Sequence, residues 1–576
     1  MPFRSILFLI SAGLFAFSAN DLAPPVLAAD ATLNVASADQ HLHTGMELEQ
    51  KRQWLEAIQH YEKACRTLPE HVELKRRLLI SRIHYDVTRR CQDPALLDAM
   101  ASVSVNDGLE LYSEVLTRLE LSYVDKIDMT EIVRGGTAYL EVALTEPLFI
   151  NHFLRTQDAA KIEQFRTNIH RVTLAKQVRT RFEARNIVAH MANQAQEEIG
   201  LPSSATIMQF VCGAVGLLDP YSSFLSANEL AEVESQIEGN FVGLGIALQP
   251  HEVPLRILNV LPGGPARESG LQPADRILEV GSIRCADVGA ERAADLLRGP
   301  EQTKARLLVE RSGRGVFEVW VSRRRVEVAS IENAHMIEPE LGIAYLKINS
   351  FQKTTVAELD AALFQLEQQK MRSLIIDLRG NPGGWLDAAV SVADRFIPEG
   401  VIVSTRGRNG IENQNYTAVR GGTWQMPLVV LIDGDSASAS EIFAGAIRDH
   451  KRGTLVGATS YGKGSVQGLF HTKSFPGGVR LTVSKFYSPS GLAISERGVS
   501  PDVPVTGQLA SKASDAAGAQ GSDAERAILA QQYSAAKPVI GGDGAALAKS
   551  GSGDPALEVA VKRAAMPHYT AHINRN

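Results

Sequence analysis

Two short stretches hold the residues whose types and spacing suit covalent chemistry. Asp435-Ser436-Ala437-Ser438-Ala439-Ser440-Glu441 sets alternating serines among small side chains, and Gly462-Lys463-Gly464-Ser465-Val466-Gln467 follows with a lysine framed by glycines. Small neighbours let a peptide backbone approach a serine hydroxyl, and an unperturbed hydroxyl needs a base to become a nucleophile. Lysine serves as that base where burial lowers its pKa towards neutrality. The chemistry on offer is acyl transfer through a Ser438/Lys463 pair, one of the known alternatives to Ser-His. Alternation alone does not choose among Ser436, Ser438 and Ser440. Gln467, four residues beyond the lysine, offers a carbonyl that holds the amine without a charge favouring its protonated form.

Acyl transfer also needs donors for a developing oxyanion. Asp377-Leu378-Arg379-Gly380-Asn381-Pro382-Gly383-Gly384 follows an apolar run and leaves glycine amides open to a ligand, with the amide of Ala439 as the natural second donor. A bland reading stands beside this one. The glycine turn is then a tight strand-to-helix connection, and the serine run is a capping cluster in which Ser440 and Glu441 satisfy free helix amides.

The elements that must position these residues read as a multidomain α+β chain. At 576 residues the chain divides into about three or four domains. Residues 45–200 are helical in pattern. Trp54, Ala57, Ile58, Tyr61 and Ala64 share one face, and Leu109, Tyr112, Val115, Leu116, Leu119 and Tyr123 form a later stripe expected to pack on the following domains. Ala57–Ala64 is similar to the second helix of a tetratricopeptide repeat, but one copy does not make an array, and a plain helical hairpin is the simpler reading. Residues 201–237 form a helical lead-in. Residues 238–327 turn to short strands and glycine turns, with Phe241–Leu248 read as one strand and a helix near Ala290–Leu297. Residues 328–507 are mixed α/β, with Leu374–Leu378 and Leu428–Ile432 as strands covered on both faces. Residues 508–576 are rich in Ala, Gly, Ser and Lys and read as a mostly flexible tail, with one short helix near Asp523–Tyr533.

Residues 1–29 carry Arg4, the apolar run Ile6–Ile10 and Val26-Leu27-Ala28, the pattern of an export signal cleaved near Ala28 or Ala29, or retained as an anchor. A net charge of −6 gives no electrostatic case for nucleic acid. Cys65, Cys91, Cys212 and Cys285 are too few for a disulfide scaffold and lack zinc-site spacing. Export would permit a Cys65–Cys91 bridge, though four small, buried thiols are the simpler reading. No metal or cofactor is called for.

Taken in order, the motifs resemble those of the carboxyl-terminal processing peptidases, or tail-specific proteases. The resemblance rests on Asp377-Leu378-Arg379, Asn381-Pro382-Gly383-Gly384, Ser436–Glu441, Gly462-Lys463-Gly464 and Gln467. It is joined by Leu218-Asp219-Pro220-Tyr221-Ser222-Ser223-Phe224 and Leu481–Gly491, ending at Gly498–Asp502. It implies a core of crotonase-like type with Ser438 as nucleophile, Lys463 as general base and Gln467 orienting the lysine. Ala439 with Gly383 or Gly384 is the implied oxyanion hole. It further implies that residues 238–327 are a PDZ domain binding a peptide C-terminus at Gly243-Leu244-Gly245-Ile246. Ser269-Gly270-Leu271-Gln272-Pro273-Ala274-Asp275 departs from the family pattern by placing Ala274 where glycine is usual, and Val280-Gly281-Ser282 departs in the next turn. The implied function is a serine endopeptidase of the periplasm or cell envelope acting on proteins with flexible, largely nonpolar C-terminal tails. An envelope adaptor or a second copy of the chain are further candidate partners. The competing reading is an inactive PDZ scaffold, and tricorn-like or retinoid-binding relatives fit the order of motifs less well.

Overall fold

The computed structural model describes residues 29–154, 158–249, 252–299, 301–410, 412–419, 421–495, 497–505 and 553–566. The export signal and the helix expected at Asp523–Tyr533 lie outside the described residues. Two compact units divide the chain at Leu78. In the first, Ala29–Gln50 and Trp54–Thr67 are helices, and Ala57, Tyr61, Ala64 and Leu74 make a small core with Leu42 and Leu48. All the residues of the Trp54 stripe are buried, as their spacing requires.

In the second unit the helices continue through Ser203–Gly216, which is buried along nearly its whole length. Their starts are set by side-chain caps: Asp93, Ser104, Asp128, Asp158 and Thr180 each accept from the first free amides. Leu109, Tyr112, Val115, Leu116 and Leu119 of the later stripe pack in the same core as Val479, Leu481 and Val483 of the long strand Gly477–Tyr487. The lead-in is not wholly helical, because Ser223–Ser226 is a strand paired antiparallel with that same long strand.

The β-rich domain departs from expectation at one point. Phe241–Leu248 is two strands, with Asn240–Gly243 paired to Arg324–Glu327 and Ile246–Leu248 paired to Leu255–Val260. The chain turns between them at Gly245, whose φ of +73° lies in the left-handed region. Ile246–Leu248 is thereby the edge of a sheet that runs on through Leu255–Val260, Arg276–Val280, Lys304–Arg311 and Gly315–Ser322. The expected helix starts earlier, at Cys285, and bends at Gly289 before ending at Leu296.

The core sheet runs in the order Ile331–Glu338, Ile343–Ile348, Ser373–Asp377, Leu428–Ile432, Thr454–Gly457 and Val503–Pro504. Its first pair is antiparallel and the rest are parallel. Helices Thr355–Gln368, Leu386–Ala393 and Ala439–Asp449 bury one face. The other face is closed by Pro555–Ala564, where Leu557, Ala560, Val561 and Ala564 meet Ile375, Val429, Leu431 and Val456. Within residues 508–576, read from the sequence as a mostly flexible tail, the described part is a short amphipathic helix capped by Asp554 that covers this face of the core. None of Cys65, Cys91, Cys212 and Cys285 is in a disulfide.

Candidate active site

The site lies at the carboxyl ends of Ser373–Asp377 and Leu428–Ile432, where an open parallel sheet leaves a crevice for ligands. The loop after each strand is knotted to the other. Asp433 Oδ1 accepts from Gly380 N at 3.1 Å and from Ser436 N at 3.0 Å. Buried Asn381 donates from Nδ2 to Ile348 O, and its backbone carbonyl accepts from Ala437 N and from Ser440 Oγ, each at 3.0 Å.

This knot separates the serines that alternation could not. Ser436 is 1 % exposed and donates to Leu378 O at 2.8 Å, while Ser440 is 0 % exposed and held by Asn381. Ser438 alone is partly exposed, and its φ of +55° and ψ of −114° put it on a strained elbow at the start of helix Ala439–Asp449. Such a conformation costs about 1–3 kcal/mol and persists where its surroundings over-determine it.

Gly383 and Gly384 form the opposite wall. A Cβ on Gly383 would fall 2.7 Å from Ala437 O and 2.8 Å from Ser438 Cβ, and one on Gly384 would fall 2.1 Å from Phe351 O. Only glycine lets the two loops come this close. Their amides differ. Gly383 N donates to Asn381 Oδ1 at 2.9 Å, whereas the amides of Gly384 and Ala439 donate to no acceptor among the described residues.

Lys463 is half-buried, with its Nζ 4.9 Å from the centroid of the Tyr221 ring. Burial lowers its pKa to about 8; Arg480 adds to the fall, and Glu441 and Asp219 oppose it. Its amine makes no hydrogen bond to Ser438 Oγ in this conformation, and Gln467 donates from Nε2 to Ser465 Oγ at 2.8 Å. The two stretches are nevertheless joined. Glu441, 0 % exposed, accepts from Ser438 N, Lys463 N, Gly462 N and Ser460 Oγ. Burial pushes its carboxyl above the ordinary range while these donors pull it down.

Sequence alone gives Glu441 only a capping role, places Asn381 in a motif without a role of its own, and does not show Asp433 or the contact of Tyr221 with the lysine. A buried Glu three residues after the serine was the one local signal available.

In the β-rich domain, Gly243 ends the strand Asn240–Gly243 and Leu244 points into the domain core. The carbonyls of Leu244 and Gly245 are taken by Ala266 N and Leu261 N, each at 2.9 Å. Their amides donate to no acceptor among the described residues, and Ile246 begins the edge strand.

A strand-to-helix turn that presents one serine while fastening its neighbours is the device of a serine-type peptidase. Comparison with known proteins gives the finer assignment. The model for peptidase family S41 matches residues 342–505, and that for the PDZ domain matches residues 256–311. The chain belongs to the carboxyl-terminal processing proteases of that family, with an embedded PDZ domain. It is 35 % identical over 301 residues to a carboxy-terminal-processing protease of Bartonella bacilliformis, covering 51 % of this chain and 68 % of the relative. A carboxyl-terminal-processing protease of Synechocystis is 34 % identical over 348 residues, covering 60 % and 78 %. A third, carboxy-terminal processing protease CtpA of Bacillus subtilis, is 31 % identical over 288 residues, covering 50 % and 60 %.

Proposed function

We propose that Ser438 is the nucleophile and Lys463 the general base of this serine-type endopeptidase, with Gln467 orienting the amine. Ala439 N and Gly384 N are the oxyanion donors, while Gly383 backs the elbow and spends its own amide on Asn381. The observation that carries this reading is the isolation of Ser438, partly exposed and strained between two serines that are fastened to the opposite loop.

Ser438 Oγ attacks the scissile carbonyl as its proton passes to neutral Lys463 Nζ. The oxyanion accepts from the two free amides. The lysine then returns the proton to the leaving amine, and the resulting ester is hydrolysed by water with the same lysine as base. The amine must first leave Tyr221, and the carbonyl oxygen of Gln467 is the end that receives it.

Gly243, Leu244, Gly245 and Ile246 are the proposed seat of the substrate's C-terminal carboxylate, supported by the free amides of Leu244 and Gly245. The tail adds to the open edge of Ile246–Leu248, and a flexible, largely nonpolar tail is the proposed substrate. The mixed α/β core is read as crotonase-like, supported by its parallel strands and helix-covered face. Arg4 and the apolar run after it support delivery to the periplasm or cell envelope, and the helical region before the PDZ domain is the surface we assign to an envelope adaptor. Two peptides differing only in a free or amidated C-terminus test the tail reading. The free acid is cleaved faster at limiting concentration, and equal rates would remove the PDZ loop from substrate capture.

A further inference from the structure

Helix Ser203–Gly216 ends in the turn Leu217–Ser222, which carries an aromatic side chain across to the candidate base. The turn is held without reference to the lysine. Asp219 Oδ1 accepts from Tyr221 N at 2.7 Å and from Ser222 N at 3.0 Å. The same oxygen accepts from Thr482 Oγ1 at 3.0 Å, and Thr482 N donates to Ser222 Oγ at 3.1 Å. Arg480 Nε donates to Tyr221 O at 3.1 Å. Thr482 and Arg480 belong to the strand Gly477–Tyr487, and Thr482 is the register partner of Gln467. The ring of Tyr221 is therefore placed by the strand that also places the lysine's neighbours.

Its face lies 4.9 Å from Lys463 Nζ, a distance at which a ring attracts an ammonium and not a neutral amine. The same amine makes no hydrogen bond to Ser438 Oγ. We propose that Tyr221 is a positioning residue for the base: its ring is the resting place of the charged Lys463, which the side chain leaves on losing its proton to reach Ser438. This rests on the reading of Lys463 as general base.

The other charges facing the amine come from three elements. Arg480 on the long strand disfavours the ammonium, while Glu441 on the helix after Ser438 and Asp219 in the turn favour it. The Tyr221 ring adds to the second group. Removing it destabilises the ammonium, so the neutral base becomes available at lower pH.

The test is the pH dependence of Ser438 labelling by a fluorophosphonate, which needs no knowledge of the substrate and reads the serine's reactivity directly. In the full chain, Tyr221→Leu and Tyr221→Met move the rising limb to lower pH by about half a unit to one unit. Tyr221→Phe keeps the ring face and leaves the limb where it is. Two ring-less variants guard against one that fails to fold, which thermal denaturation identifies. A limb unmoved in the folded Leu or Met variant, moved upward, or moved equally in Tyr221→Phe overturns the inference. Lys463→Ala separates the underlying reading: full labelling there would end the role of Lys463 as base, whereas its loss with unmoved Tyr221 profiles would end only the role of Tyr221.

Discussion

Ser438 and Lys463 are joined through their backbones by one carboxylate: Glu441 Oε2 lies 2.7 Å from Ser438 N and 2.9 Å from Lys463 N. The elbow and the lysine turn are thus set relative to each other before any substrate binds. Glu441→Gln keeps the shape but replaces one acceptor oxygen by an amide NH2 donor facing backbone N–H groups. We expect kcat to fall at least tenfold with KM little changed, together with a stability loss of about 1–3 kcal/mol. Steady-state kinetics and thermal denaturation check both; a KM effect without a kcat effect would place Glu441 outside the chemistry.

The serines separate by what each loses on truncation. Ser438→Ala abolishes fluorophosphonate labelling and peptidase activity and leaves the melting curve unchanged or raised, because it removes only a partly exposed hydroxyl on a strained residue. Ser436→Ala leaves Asp433 N without its acceptor and Leu378 O with Asn381 N as its remaining donor, and costs about 1–2 kcal/mol, with labelling retained below the melting transition. Equal loss of labelling in both variants would contradict the assignment of the middle serine.

Burial pushes the Lys463 amine down from the ordinary 10.5 of a free side chain to about 8. Acylation by a neutral base therefore rises with pH and levels off above about 8. The sign for stability follows from the same shift. Between the two values the unfolded chain holds a proton that the folded chain has lost, so this group's contribution rises with pH through that window. Comparing the pH dependence of unfolding in the native chain and Lys463→Met isolates it, and a contribution that falls over the window would contradict the lowered pKa.

Ala274 sits at φ +72°, a conformation natural to glycine. Its methyl group costs about 1–2 kcal/mol there, partly offset by the greater unfolded-state freedom of glycine. Ala274→Gly should stabilise the PDZ domain by up to about 1 kcal/mol. Denaturant unfolding followed by Trp320, which is in that domain, measures it; a destabilised variant would show that the turn does not strain alanine.

Asp554 both caps Pro555–Ala564, accepting from Ala556 N and Leu557 N, and accepts through both carboxylate oxygens from Arg379 Nη1 at 2.8 and 3.0 Å. Arg379 also binds Asp377 and stands next to the glycine loop of the site. Asp554→Ala should cost about 1–2 kcal/mol from the cap and loosen the helix from the sheet. Hydrogen exchange reports this as faster exchange in Pro555–Ala564 and in 378–384. Unchanged protection of the glycine loop would confine the helix to a covering role.

Local pattern carried much of this protein. Leu428–Ile432 is the strand its apolar run describes, and Trp54, Ala57, Ile58, Tyr61 and Ala64 are the buried face their spacing describes, because burial repeats with the period of the element. The order of motifs carries the family resemblance that implies Ser438 and Lys463 as the reacting pair. What periodicity could not show was pairing. Phe241–Leu248 reads as one strand, yet its halves bond to different partners, and nothing local marks the change. Leu557, Ala560, Val561 and Ala564 look like part of a loose tail until the open face of the core sheet receives them. The same holds at the site. Ser436, Ser438 and Ser440 are equivalent along the chain and differ only in what Leu378 and Asn381 accept. Tyr221 and Lys463 meet because the strand Gly477–Tyr487 pairs with the chain after each of them. Residue type and spacing determine which side chains are able to do the chemistry. Long-range strand pairing and helix docking, which leave no local signature, decide which of them face one another.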